Sequence, residues 1–210
     1  SAIALQEVLD AADAVIMSWY PGEQGGNALA DIIFGDVNPS GRLPITLYAS
    51  VDDLPPFEDY SMKGRTYKYF TGKPLFPFGY GLSYTTFEYT HMAFDQKSEI
   101  NGKQLQFKVT VKNTGSHPGE EVVMVYASKA IDSLGESGHK IPSVEKSLVG
   151  FKRVYLNAGE EKVIPIAINL MDMYQWDTEN KEYFISSCSY FLQTQPSSGG
   201  GGFGVWIDAQ

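Results

Sequence analysis

The stretch Pro74-Leu75-Phe76-Pro77-Phe78-Gly79-Tyr80-Gly81-Leu82-Ser83-Tyr84-Thr85-Thr86-Phe87 constrains this chain more than any other. Prolines fix φ, glycines release it, and closely spaced aromatic rings need dry surfaces to pack against. A floppy tether would be rich in Gly and Ser or in polar residues. This segment therefore predicts a connector clamped between two packed bodies. The residues on either side of it follow different periodicities, so two unlike architectures are expected.

Before the hinge the pattern is α/β. Apolar positions at Leu5, Val8, Leu9 and Ala12 fit one face of a short helix within residues 2–12, with a strand at 2–5 as the alternative. Ala14-Val15-Ile16-Met17-Ser18-Trp19-Tyr20 is an apolar run suited to a buried parallel strand, stopped by Pro21-Gly22. Glu23-Gln24-Gly25-Gly26 reads as a loop. Asn27 is then the expected N-cap of a helix through Phe34, closed by Gly35. Asp36 to Gly41 is turn chemistry, and Leu43-Pro44-Ile45-Thr46-Leu47-Tyr48 predicts an edge strand. The loop at Gly22–Asn27 lacks both the GxGxxG and the GxxxxGK[ST] spacing, so a tight turn is preferred to a phosphate site. Residues 49–73 are irregular and rich in aromatics, acids and one arginine, Arg65. That composition serves a sugar-binding cleft or a packed seam between domains, and the seam is the better account.

From Thr85 the period becomes two. Leu105, Phe107, Val109 and Val111 alternate with Gln106, Lys108, Thr110 and Lys112. Further strands are expected at 122–127, 148–156, 163–168, 183–185, 189–192 and 203–207, with loops at about 130–146 and 196–202. Some seven short strands without a convincing helix predict an antiparallel sandwich.

Composition narrows the function classes. A hydrophobic share of 43% is ample for packed cores. A net charge of −9 argues against a nucleic-acid surface. No apolar run approaches the ~18 residues of a membrane span, so neither nucleic acid nor membrane is an expected partner. The single cysteine, Cys188, permits no intrachain disulfide and is read as a small apolar strand residue. His91, His117 and His139 lie far apart, no metal-ligand spacing is present, and no cofactor is expected. Ser18 is not in a GxSxG turn. Asp52 with Asp53 and Glu58 with Asp59 are adjacent carboxylates, but sequence neighbours point apart, and loop acids are ordinarily solvated. The residues offer no self-contained active site.

Three motifs, in order, carry a family resemblance. Trp19-Tyr20-Pro21-Gly22-Glu23-Gln24-Gly25-Gly26-Asn27-Ala28-Leu29-Ala30-Asp31, running on through Gly41-Arg42-Leu43-Pro44, resembles the second domain of glycoside hydrolase family 3. Tyr67-Lys68-Tyr69-Phe70 with Phe76-Pro77-Phe78-Gly79-Tyr80-Gly81-Leu82-Ser83-Tyr84 is similar to that family's exit from the same domain. Val109-Thr110-Val111-Lys112-Asn113-Thr114-Gly115, Gly119-Glu120-Glu121-Val122-Val123 and Leu148-Val149-Gly150-Phe151-Lys152-Arg153-Val154 look like its fibronectin type III-like third domain. Ser186 to Gln210 departs from the family's usual ending.

The resemblance implies an α/β fragment, the end of an α/β sandwich domain, followed by an all-β fibronectin type III-like, immunoglobulin-type sandwich. The expected division is 1–50 for the α/β part, 51–84 for the connector and 85–210 for the sandwich. It further implies a retaining exo-glycosidase with an aspartate nucleophile on a barrel-like first domain and a glutamate acid/base on a loop of the second. Both positions fall outside these residues, so no catalytic, cofactor-binding or metal residue is assigned, and Glu23 and Glu58 are not promoted to fill the gap. The chain opens in mid-pattern at Ser1 without a basic leader, and is expected to be the C-terminal portion of a longer polypeptide. Its partners would be the N-terminal catalytic barrel portion and an oligosaccharide of plant type. Leu54-Pro55-Pro56-Phe57-Glu58-Asp59-Tyr60-Ser61-Met62 followed by Gly64-Arg65-Thr66-Tyr67 looks most like the β-xylosidase branch, with β-glucosidase second. The compartment is not fixed; periplasmic or secreted is favoured over cytoplasmic. The competing reading is a non-catalytic sandwich module that binds carbohydrate or protein, for which an exposed aromatic row on a sheet face would be the support. Isolated, the α/β part is expected to leave an open sheet edge and uncovered apolar faces.

Overall fold

A computed structural model describes residues 5–94, 104–129, 146–177, 180–185, 189–196 and 203–208. Cys188, His139, most of the expected loop at 130–146 and the glycine-rich segment 199–202 lie outside the described residues.

Alternation of apolar and polar residues builds the second half of the chain. Strands β1 (Phe87–Phe94), β2 (Gln104–Asn113) and β5 (Glu161–Asn169) form one antiparallel sheet in the order β1-β2-β5. Strands β3 (Gly119–Lys129), β4 (Ser147–Leu156), β8 (Ser189–Thr194) and β9 (Phe203–Asp208) form the other, in the order β4-β3-β8-β9. Leu105, Phe107, Val109 and Val111 of β2 face Ile164, Ile166 and Ile168 of β5 along one inner face. Val123, Val125, Ala127, Val149 and Leu192 close the core from the other sheet. Each Val, Leu, Ile or Phe among them contributes roughly 1.5–3 kcal/mol by leaving water. Pro165 has no N–H for a ladder, and β5 accommodates it by standing at a sheet edge.

The expected sandwich is therefore present, with two changes of membership. Phe87–Phe94 is a full sandwich strand. Tyr183 and Phe184 instead belong to a separate hairpin, β6 (Gln175–Asp177) with β7 (Glu182–Phe184).

The first half differs more. Helix α1 spans Gln6–Ala11, α2 spans Gly25–Phe34, and the single turn α3 spans Thr66–Tyr69. Gly35 closes α2 in the left-handed conformation, φ 83°, as its position predicts. The expected cap at Asn27 is replaced by Gln24, whose carbonyl accepts the first helical bond from the Ala28 N–H. Gly25 enters the helix because its missing side chain lets Pro21 pack against the backbone. The expected strand at Ala14–Tyr20 forms no ladder, because a buried parallel strand needs neighbouring strands and no described segment supplies one.

Among the described residues, 43–47 pair only with the hinge. Leu43 N–H donates to the Tyr80 carbonyl at 2.8 Å and Gly79 N–H to the Leu43 carbonyl at 2.7 Å, while Leu47 and Phe76 exchange bonds at 2.9 and 3.2 Å. The predicted sheet edge is thus missing, and apolar faces are uncovered instead. Among residues 5–84 only Leu5 and Leu47 are buried hydrophobics, whereas Tyr20, Phe34, Phe57 and Tyr60 are each more than 80% exposed.

Candidate functional site

Two regions concentrate the polar and aromatic chemistry: the seam where the hinge meets the sandwich, and the loop at residues 50–65.

At the seam the hinge lies on the outer face of the four-stranded sheet. Tyr67 stacks on Phe78 with ring centroids 4.3 Å apart, and its edge meets Tyr126 of β3. The Tyr67 hydroxyl accepts from the Leu148 N–H at 3.0 Å. Gly79, at φ 83°, sits against the Tyr126 hydroxyl and the Met124 sulfur. Burial holds the Tyr67 and Tyr126 phenols above their ordinary ionisation range.

Beneath this aromatic layer, Arg42 forms an ion pair with Glu121 of β3, and both side chains are nearly inaccessible. The other Glu121 oxygen accepts from the Tyr89 hydroxyl at 2.8 Å. Burial raises the Glu121 carboxyl, opposed chiefly by the Arg42 charge; burial and the Glu121 charge raise Tyr89. Asn38 completes the seam. Its amide nitrogen donates to the Pro118 carbonyl at 2.9 Å, and its oxygen accepts from the Ser83 hydroxyl and the Tyr84 N–H at 2.9 and 2.8 Å. Glu120 accepts from Ser40 at 3.2 Å and from Arg153 at 3.0 Å. Asn38–Pro118, Ser40–Glu120, Arg42–Glu121 and Tyr67–Leu148 join residues before the hinge to residues after it. Glu121, 1% exposed, cannot meet a substrate, so its chemistry is structural.

The loop at 50–65 is ordered by its own polar groups. Ser50 and Asp53 form a reciprocal cap, with the Asp53 carboxylate accepting from the Ser50 N–H at 3.0 Å. Asp59 accepts from the Ser61 N–H at 2.8 Å, and that bond holds its carboxyl below the usual range. Arg65 donates to the carbonyls of Pro56, Asp59 and Ser61. Asp52, Asp53 and Asp59 thus each serve local backbone or hydroxyl groups. Glu23 and Glu58 are exposed. Phe57 and Tyr60 stand out from this braced loop, their centroids 6.5 Å apart.

His91 and His117 are exposed on β1 and in the β2–β3 turn, and Ser18 is exposed in the unpaired segment. Among the described residues no cluster of His, Cys, Asp or Glu is set to hold a metal ion.

Comparison with known proteins matches the Glycosyl hydrolase family 3 C-terminal domain over residues 1–84 and the Fibronectin type III-like domain over residues 121–198. The chain belongs to glycosyl hydrolase family 3. Over 179 residues this family 3 chain is 42% identical to a "Xylan 1,4-beta-xylosidase" of Xylanibacter ruminicola, covering 85% of the chain and 20% of that protein. It is 34% identical to a "Periplasmic beta-glucosidase" of Salmonella typhimurium, covering 85% of the chain and 24% of that protein. The β-glucosidase DesR of Streptomyces venezuelae, solved with D-glucose, superposes with a TM-score of 0.78 at 30% identity, over 91% of the chain and 26% of the enzyme. The chain therefore spans about a fifth to a quarter of the relatives it matches.

Sequence reasoning missed the seam pair, and the signal that could have found half of it lies in β3. Glu121 shares its parity with Val123 and Val125, which puts a carboxylate on a core face and demands a partner. Arg42 carries no local signal of that role, since its partner lies 79 residues on.

Proposed function

We propose that this chain is the C-terminal portion of a retaining exo-β-glycosidase releasing terminal β-linked sugars from plant-type oligosaccharides, with both catalytic carboxylates outside it. β-Xylosidase activity is favoured over β-glucosidase, supported by the xylosidase relative and by the aromatic loop at 54–67. The chain's own division is 1–50, 51–84 and 85–210, and its partner is the N-terminal barrel portion. The observation that carries the reading is the set of uncovered apolar side chains Tyr20, Phe34, Phe57 and Tyr60, on a segment with almost no core of its own. Four large, exposed aromatic side chains on a segment with almost no core fit a face that another body covers. The braced loop then holds Phe57 and Tyr60 ready for the barrel portion or for the sugar held between them.

A retaining mechanism needs two carboxylates about 5–5.5 Å apart, one as nucleophile and one as acid/base. On this reading the chain supplies neither. It supplies the body against which the acid/base loop is positioned.

The test is reconstitution. The chain alone should leave aryl β-xylosides and β-glucosides intact. Mixed or co-expressed with a barrel portion of the same family architecture, it should restore hydrolysis, faster on the xyloside. Turnover by the chain alone would overturn the placement of the carboxylates.

A further inference from the structure

We propose that Phe191 and Trp206, on the outer face of the four-stranded sheet, form a stacking platform for a neutral β-linked polysaccharide. The proposal rests on the glycosidase reading for its choice of ligand.

Register fixes where the two rings stand. Phe191 of β8 lies opposite Ser128 of β3 and Trp206 of β9. Tyr190 and Leu192 turn into the core, so Phe191 and Gln193 turn outward. One rung away on the same face stands Tyr126, which Tyr67 of the hinge covers. The hinge covers the sheet there, while Trp206 remains 58% exposed.

The two rings lie 5.1 Å apart, tilted by 43°. Gly204, opposite Gln193, makes that arrangement possible, because any side chain there would run into the Phe191 ring. A glycine inside a strand weakens the strand and marks a close approach. Here it lets Phe191 lie across β9 beside the indole, giving a broad apolar surface at the sheet edge. A pyranose presents C–H groups from its ring face and hydroxyls from its rim. Phe191 and Trp206 suit the first, and Ser128 and Gln193 on the same face suit the second.

Charge selects among polymers. Ser128, Phe191, Gln193, Gly204 and Trp206 carry none, in a chain of net charge −9. A neutral glycan meets no repulsion there, whereas a nucleic acid or an acidic polymer meets the field of the whole chain.

Native gel electrophoresis of the full 210-residue chain through gels containing neutral arabinoxylan or xyloglucan should show retardation. Carboxymethylcellulose should retard the chain at least threefold less. Trp206→Ala should weaken retardation by tenfold or more while the far-ultraviolet dichroism spectrum is unchanged, and Trp206→Tyr should recover part of it. Independently of any variant's folding, the Trp206 indole N–H resonance of the unsubstituted chain should shift on titration with xylohexaose or cellohexaose. No retardation, equal retardation of Trp206→Ala, or an unmoved indole resonance would each overturn the proposal, including the case where the pair instead receives a protein. Loss of aryl-glycoside hydrolysis on reconstitution with retardation intact would overturn the glycosidase reading alone. No retardation of the unsubstituted chain, with reconstituted hydrolysis intact, would overturn the platform alone.

Discussion

Glu121 is a carboxylate in the core of a β-sandwich, held by one guanidinium and one phenol. Such a group tolerates burial only while its partner is present. Arg42→Ala leaves the charge uncompensated and should cost about 3–5 kcal/mol of stability, read by urea unfolding. Arg42→Met combined with Glu121→Gln removes both charges and keeps an acceptor for Tyr89, so its loss should be clearly smaller. The sign with pH follows from burial. Glu121 has its folded pKa raised above the unfolded value, so its contribution is fully present below the unfolded pKa and fades as pH rises through the folded one. Without Arg42 that rise is larger, and the deficit of Arg42→Ala should narrow as pH falls into the carboxylate range. A loss under 1 kcal/mol for Arg42→Ala at neutral pH would show that the pair does not hold the seam.

At the scale of elements, two left-handed glycines separate conformational strain from close packing. Gly159 lies in the β4–β5 turn at φ 75° with open space around a would-be side chain. Gly79 has a similar φ, 83°, but faces Tyr126 and Met124 at 3.0–3.1 Å. Gly159→Ala should cost about 1–2 kcal/mol from backbone strain alone. Gly79→Ala should cost at least about 1 kcal/mol more through overpacking, a difference visible as a lower melting temperature. Equal losses would mean that the hinge yields at that contact. The elements also show what the sequence could reveal. The strands of the sandwich were legible because alternation such as Val109-Thr110-Val111 states which face is buried without naming the partner. Ala14–Tyr20 was not legible in the same way, since an apolar run records an appetite for neighbours and not their presence. Asn27 has the chemistry of a cap, yet the helix begins earlier because Pro21 and Gly25 pack together. Tyr183 and Phe184 have strand character but leave the sandwich for a hairpin with Trp176, a choice that local pattern does not encode. In the seam, neither Glu121 nor Arg42 was read as a partner: the strand expected at 122–127 is apolar at both parities and leaves Glu121 outside it, and an ion pair across 79 residues leaves no local trace.

At the scale of the molecule, the hinge is bonded to the sandwich by Asn38, Arg42 and Tyr67, while α1, α2 and the loop at 50–65 contribute almost nothing to the core. Hydrogen exchange should therefore divide the chain along contacts and not at one peptide bond. Amides of Leu43, Leu47, Phe76 and Gly79 should be protected together with β3, and those of α2 should exchange far faster. Equal protection of α2 and β3 in the isolated chain would sink that division and the proposed need for a covering partner. The same long-range seam has a consequence during synthesis. Arg42 is made 79 residues before Glu121, and Tyr67 is made 81 residues before Leu148. At about 5–20 residues per second, Arg42 and Tyr67 wait roughly 4–16 s on the ribosome with guanidinium and ring unclaimed by the sandwich. Chaperone capture of the nascent chain should be concentrated in that interval and should end once β3 and β4 emerge.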